Sequence, residues 1–304
     1  MKYNIHLFRL SIFSLFIFGP FSLFCQLSNH QIEKMITAEF DSIRSGSIKN
    51  HDYRFDSSNE RHFLDFVKKY EHDQSVQVRS RVQEFKAGIA MLSNDTLIRQ
   101  QVVEDFFCNF TDPNSGISQY AMYILTSFKQ NDFSKTAKKI MVSIFNQPNY
   151  NSDFLLLCAT AQLKELIPQL TKLAVFFDRT KEAWYSTTEW YACLAVARMG
   201  NAVKIDNMIA AVELELAPDL RVLRLLKQMA YTRQPDCLKL LQKYLESTER
   251  LPGVKETGNG TEFRQYAMEY LAQYIEGFPF NVKPYYSKEE IETARTFLRN
   301  HKSK

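Results

Sequence analysis

Residues 189–213 read EWYACLAVARMGNAVKIDNMIAAVE, and their pattern decides the fold. Trp190, Leu194 and Ala197 stand four and three residues apart, the apolar stripe of a helix that packs against neighbours. Gly200-Asn201 interrupts it, and a second apolar helix follows. The same grammar extends outward. Val78, Val82, Phe85 and Ile89 form one stripe; Tyr120, Ile124 and Phe128 another; Phe133, Ala137, Ile140 and Ile144 a third; Leu163, Leu166, Leu170, Leu173 and Phe177 a fourth. Strand-like alternation is almost absent. The spacing predicts helix pairs at 75–92 with 95–110, 116–129 with 132–146, 152–161 with 164–177, 186–199 with 202–215, 218–232 with 235–248 and 261–275 with 288–301. Asp95, Ser115, Asp132, Ser152, Thr187 and Ser287 are placed as caps, and Pro218 and Pro235 in first turns, where a missing N–H is harmless. The first helices of these pairs start 41, 36, 34, 32 and 43 residues apart, a recurrence that predicts an all-α solenoid.

Local detail carries a resemblance. Gly200 to Val212 is similar to the turn and second helix of a HEAT repeat, in which a Gly-polar turn leads into apolar pairs. Glu165-Leu166-Ile167-Pro168-Gln169-Leu170-Thr171-Lys172-Leu173 is similar to the same segment with that family's proline present, and Gln234 to Leu241 is a weaker copy. Glu189 to Ala197 resembles the first helix, with small residues where helices approach closely. The resemblance to HEAT (armadillo-like) repeats covers about residues 75–301 and is strongest over 150–248. It implies a right-handed superhelical α-solenoid of about six helix pairs, which buries a continuous core and leaves a concave and a convex surface. It implies nothing about chemistry, because such repeats are defined by packing positions.

Composition agrees with a folded helical chain. The protein has 304 residues, is 45% hydrophobic, and has only nine Gly and nine Pro; β and α/β folds need more glycine for turns and phosphate loops. Lys+Arg number 38 against 34 Asp+Glu, a net charge of +4, too balanced for a basic nucleic-acid stripe. Residues 1–25, MKYNIHLFRLSIFSLFIFGPFSLFC, carry Lys2 and Arg9, no acid, and a short apolar run interrupted by Gly19 and Pro20. This pattern predicts a signal peptide of bacterial type cut near Cys25/Gln26, and a periplasmic or secreted protein. Lipidation at Cys25, with membrane attachment, is the alternative, although Phe24 stands where a lipobox has a small residue. Residues 26–74 are expected to form N-terminal helices and a polar linker, and 75–301 the repeat domain.

No grouping of reactive residues predicts catalysis. Cys108, Cys158, Cys193 and Cys237 lie 50, 35 and 44 residues apart in apolar helical stretches; buried thiols are expected, with a disulfide between Cys158 and Cys193 as the alternative. His30, His51, His62 and His72, with Asp52, Asp56, Glu60 and Asp65, lack metal-site spacing. GxSxG, SxxK and phosphate-loop motifs are missing. No cofactor or metal is expected. Asn94, Asn109 and Asn259 open Asn-x-Thr triplets, which matter only in a eukaryotic secretory protein.

Two loops break the repeat, ERLPGVKETGNG at 249–260 and EGFPFNVKPYYS at 276–287. Loops of this length in helical proteins are often functional. Phe278, Phe280, Tyr285 and Tyr286 either cap the last repeat or dock a partner; Trp184 and Tyr185, at a helix start, are placed facing a groove. The expected function is an exported, non-catalytic scaffold that binds a protein or peptide through one face of the stack plus the loops at 178–187 and 276–287, which carry these six aromatics. The alternative is an exported hydrolase, or an accessory domain of one, with Glu262, Arg264, Tyr266 and Glu269 in a site near 249–287.

Overall fold

The structure, a computed structural model, describes residues 28–46, 59–147, 152–251 and 260–300. The chain is all-α, 70% helical, with 14 helices among the described residues and contacts between neighbouring helices. They are α1 Asn29–Arg44, α2 Glu60–Lys68, α3 Val76–Leu92, α4 Thr96–Cys108, α5 Ser115–Leu125, α6 Lys135–Phe145, α7 Asp153–Thr160, α8 Ile167–Ala174, α9 Thr188–Arg198 and α10 Ile205–Glu213. Then come α11 at 218–232, α12 Pro235–Leu245, α13 Phe263–Tyr274 and α14 Lys288–Asn300. Among the described residues the only β pairing is an antiparallel bridge of Arg250 with Glu262. Residues 1–25, on which the signal-peptide expectation falls, His51, Asp52, Asp56 and most of the 249–260 loop lie outside the described residues. No described helix is long and apolar enough to cross a membrane. The chain divides into two compact units, Met1–Ile124 and Leu125–Lys304.

In the first unit α3 packs against α1, α2 and α4. Its predicted stripe, Val78, Val82, Phe85 and Ile89, is buried. Phe40 of α1 meets Phe85 edge-on at 5.9 Å and Tyr70 at 4.6 Å. This core also holds charge. Lys86 is 1% exposed, and its Nζ contacts Glu71 and, at 2.5 Å, Asp105 Oδ2. Buried Glu39 receives Arg81 Nε at 2.7 Å. Each charge has a partner, as burial requires.

In the second unit α7, α9, α11 and α13 pack one on the next, α8 lies on α9, and α12 touches α10, α11, α13 and α14. Helix α9 is buried at every position from Trp190 to Ala197. A helix apolar all round must be covered all round, and Ala192, Cys193, Ala195 and Ala197 let its neighbours come close. Three row helices also end alike. Gln162, Gly200 and Arg233, which follow α7, α9 and α11, have positive φ (57°, 94° and 59°), the left-handed C-terminal turn that closes a helix; α13 ends instead on extended Ile275.

Most predicted helix edges stand within three residues of those observed. Asp95, Thr187 and Ser287 cap as expected, accepting from Leu97 N, Trp190 N and Glu290 N. Three cap assignments change. Asn114, one residue before Ser115, caps α5. Ser134 caps α6, while Asp132 is drawn into the preceding turn, accepting from Lys129 N at 2.9 Å. Ser152 makes no cap bond; its hydroxyl lies 3.1 Å from Thr188.

Candidate interaction surface

Four stripes at helical spacing cross the second unit: Asp153, Leu156 and Thr160 on α7; Tyr191 and Arg198 on α9; Arg224, Gln228 and Tyr231 on α11; Tyr266, Tyr270 and Tyr274 on α13. Residues 221–225 of α11 form a π-helical turn, a form that recurs at functional sites.

Side chains tie the stripes together at three levels. At one end Asp153 hydrogen-bonds Tyr191, Arg224 Nη2 donates to the Tyr191 hydroxyl at 3.1 Å, and the Arg224 guanidinium lies 4.9 Å from the Tyr185 ring centroid. In the middle Trp190 Nε1 donates to Gln228 Oε1 at 2.8 Å. At the other end the Tyr231 hydroxyl donates to the Leu156 carbonyl at 2.6 Å and lies 3.2 Å from the Thr160 hydroxyl. Arg198 Nη1 donates to the Tyr231 carbonyl at 2.9 Å, with its guanidinium 5.0 Å from that ring, and Tyr274 packs edge-on to Tyr231 at 5.8 Å. Burial raises the phenol pKa values of Tyr191, Tyr231 and Tyr274, which stay neutral donors. The outcome is a braced patch in which Tyr191 and Tyr231 are buried and hold half-buried Tyr185, Arg198, Arg224, Gln228 and Tyr274, the aromatic, Arg and amide composition that concentrates binding energy at interfaces.

The predicted rings divide. Trp184 is 7% exposed; it packs edge-on to Trp190 at 4.8 Å and Phe177 at 5.8 Å, so it belongs to the core beneath its loop rather than to a groove. Tyr185 joins the face through Arg224. Tyr286 is 1% exposed; its N–H donates to Gln265 Oε1 at 2.8 Å, and its carbonyl accepts from Gln265 Nε2 at 2.9 Å. Its hydroxyl donates to Asn281 O at 3.0 Å. Burial of its ring takes it out of contact with any partner. Half-buried Phe278 meets Phe280 at 5.8 Å and Phe297 of α14 at 5.4 Å. Tyr285 is 69% exposed. Beside them an open groove of about 850 Å³ is lined by Pro279, Glu289, Glu292, Thr293, Thr296, Phe297 and Asn300.

Of the residues of the hydrolase alternative, Glu262 and Arg264 are in contact, while Glu269 stands apart. Glu262 receives Arg250 Nη2 at 2.8 Å and also contacts Arg264. Burial acts to raise its pKa, but the two arginines outweigh it and hold the carboxyl below its usual range. Glu269 stands seven residues on, about 10 Å along the helix, and burial raises its carboxyl. His62 pairs with Glu33 at 2.5 Å. Among the described residues no three His, Cys, Asp or Glu side chains are placed to hold a metal. Cys158, Cys193 and Cys237 are free, buried thiols.

Sequence reasoning missed Tyr191, Arg198, Arg224, Gln228, Tyr231 and Tyr274. The available signal was the spacing of Arg224, Gln228 and Tyr231, four and three residues apart, which places polar and aromatic groups on one helix face. No family model matches the chain, and no curated protein or solved structure matches it.

Proposed function

We propose that this is an exported, non-catalytic scaffold of HEAT-like α-solenoid type that binds a protein or peptide in the cell envelope or outside it. The observation that carries the reading is the face across α7, α9, α11 and α13, where Arg224, Tyr185, Gln228, Arg198, Tyr231 and Tyr274 are cross-braced by hydrogen bonds and ring contacts. A braced aromatic-arginine face loses little conformational freedom on binding. The row of helices α7, α9, α11 and α13, each packed on the next, supports the solenoid, since each pair needs its neighbours to complete its core. Phe278, Phe280 and Tyr285 extend the accessible rings toward α14.

Export rests on residues 1–25, and mass spectrometry of the mature N-terminus tests it: a chain starting at Gln26 is expected, and a lipidated Cys25 overturns soluble export. Binding is tested with residues 26–304 against a displayed peptide library, with calorimetry on the selected sequences. Arg224→Ala combined with Tyr185→Ala, shown by circular dichroism to fold, is expected to weaken binding about 30-fold or more, as loss of an interface hot spot does. Unchanged affinity would remove this face from the binding site.

A further inference from the structure

Among the described residues Arg198 and Arg233 have no carboxylate partner. Most arginines of the second unit do: Arg221 reaches Glu249, Arg250 and Arg264 share Glu262, and Arg295 and Arg299 share Glu292. Among the described residues Arg198 and Arg233 make no ion pair, although they stand at one end of the same face. Arg198 is half-buried. Its Nη1 is fixed on the Tyr231 carbonyl, at the C-terminus of α11, and its plane lies over the Tyr231 ring. That bond uses one of five N–H donors. Arg233 follows α11 directly in a left-handed conformation. Burial and the neighbouring Arg233 push the Arg198 guanidinium down to about 10, so both remain cationic at neutral pH. Helix C-termini favour a cation, which accounts for one guanidinium at this end; it does not account for two that repel each other.

We infer that Arg198 and Arg233, beside the Tyr231–Tyr274 ring pair, receive an oxyanion. Resting on the reading of this face as a peptide-binding surface, we assign that oxyanion to a carboxylate of the bound peptide. Arg forks match a carboxylate with two parallel hydrogen bonds. The Glu276 charge favours the cationic form of Arg233 without an ion pair among the described residues, and so competes with a bound anion.

The arginine Nε–Hε resonances of residues 26–304 give the test, with sodium acetate and inorganic phosphate as probes. Arg198 and Arg233 are expected to shift saturably with acetate, while surface Arg61 drifts linearly. Arg198→Lys keeps the charge and loses the fork; Arg233→Gln loses the charge at an exposed site. Each is expected to weaken the acetate response about tenfold, and Glu276→Gln to strengthen it. Linear drift at both arginines, like that of Arg61, overturns the site. Saturation by phosphate about tenfold tighter than by acetate overturns the carboxylate assignment in favour of a phosphate group. The parent reading fails separately. If acetate saturates the arginines but no peptide is selected, the peptide reading falls and the oxyanion site stands. If selected peptides bind equally after every carboxylate is amidated, the carboxylate assignment falls and the peptide-binding face stands.

Discussion

Gln265→Met should release the 276–287 loop while leaving most of the fold intact. Gln265 is 6% exposed, and its amide makes both hydrogen bonds to the Tyr286 backbone, one as acceptor at 2.8 Å and one as donor at 2.9 Å. Methionine keeps the volume and removes both bonds. A hydrogen bond contributes about 1 kcal/mol net, and a buried group left unpaired loses about 1–3 kcal/mol. Tyr286 is 1% exposed, so water reaches its N–H and carbonyl only if the loop moves. The expected loss is about 2–4 kcal/mol, limited by the option of opening the loop instead of burying two orphaned groups. By the same conversion the Tyr286 amide should exchange hydrogen roughly 30- to 700-fold faster. Hydrogen-exchange mass spectrometry over 276–287, beside urea unfolding, reads both quantities. A loss under about 0.5 kcal/mol with unchanged Tyr286 protection would refute the reasoning: the loop would then be held by its rings, Phe278 on Phe297 above all, and not by the amide clamp.

Lys86→Met leaves Glu71 and Asp105 facing each other without their cation, and urea unfolding should show a loss of about 3 kcal/mol, the usual result of breaking a buried ion pair from one side. The triple change with Glu71→Gln and Asp105→Asn should recover most of it; a triple variant no better than the single one would mean that packing, not charge, sets the loss. Glu269→Gln should match the parent well below pH 4.5 and be more stable at neutral pH. Burial raises the Glu269 carboxyl above its unfolded value of 4.5, so the unfolded chain releases this proton first and stability falls as pH rises through the window above 4.5; equal unfolding midpoints at pH 7 would count against it. Burial pushes the Cys193 thiol up to about 12 and that of Cys237 to about 11, and raises Cys158 as well. Alkylation mapped by mass spectrometry should therefore label these three only in denaturant, and labelling of any of them in the native protein at neutral pH would contradict the burial.

Helices were legible because their signals are local. Pro218 and Pro235 mark first turns, and the Val78–Ile89 stripe can bury only one face. Failures began where the deciding partner is distant in sequence. Trp184 follows the polar stretch 178–183 and looks like a surface ring; its burial depends on Trp190 and Phe177 folding back onto it. Asp132 and Ser134 are both good caps, and the choice between them turned on a tight turn that occupied Asp132. The π-helical turn RVLRL has the same apolar spacing as an α-helix. The face itself was hidden because its hydrogen bonds run between helices: Tyr231 reaches a carbonyl 75 residues earlier, and periodicity within one helix says nothing about that register.

The left-handed turns that close α7, α9 and α11 bear on function through the two that are not glycine. Glycine adopts this conformation freely at Gly200, whereas another residue there costs about 1–2 kcal/mol. At Gln162 the cost is offset, because its amide donates to the carbonyls of Ala159 and Arg198 at 3.0 and 3.4 Å. At Arg233 the guanidinium makes no hydrogen bond among the described residues, and its φ is 59°. Fold energetics alone therefore favour glycine at 233, and Arg233→Gly should stabilise the protein by about 1 kcal/mol in urea unfolding while weakening the saturable acetate response about tenfold. Gln162→Gly, which loses two hydrogen bonds, should gain nothing. This is the trade expected where a strained residue is kept for its side chain and not for the fold. If Arg233→Gly destabilises the protein by more than about 0.5 kcal/mol, the guanidinium is supporting its own helix end, as a cation beside a helix C-terminus does, and the argument for an oxyanion loses its second arginine.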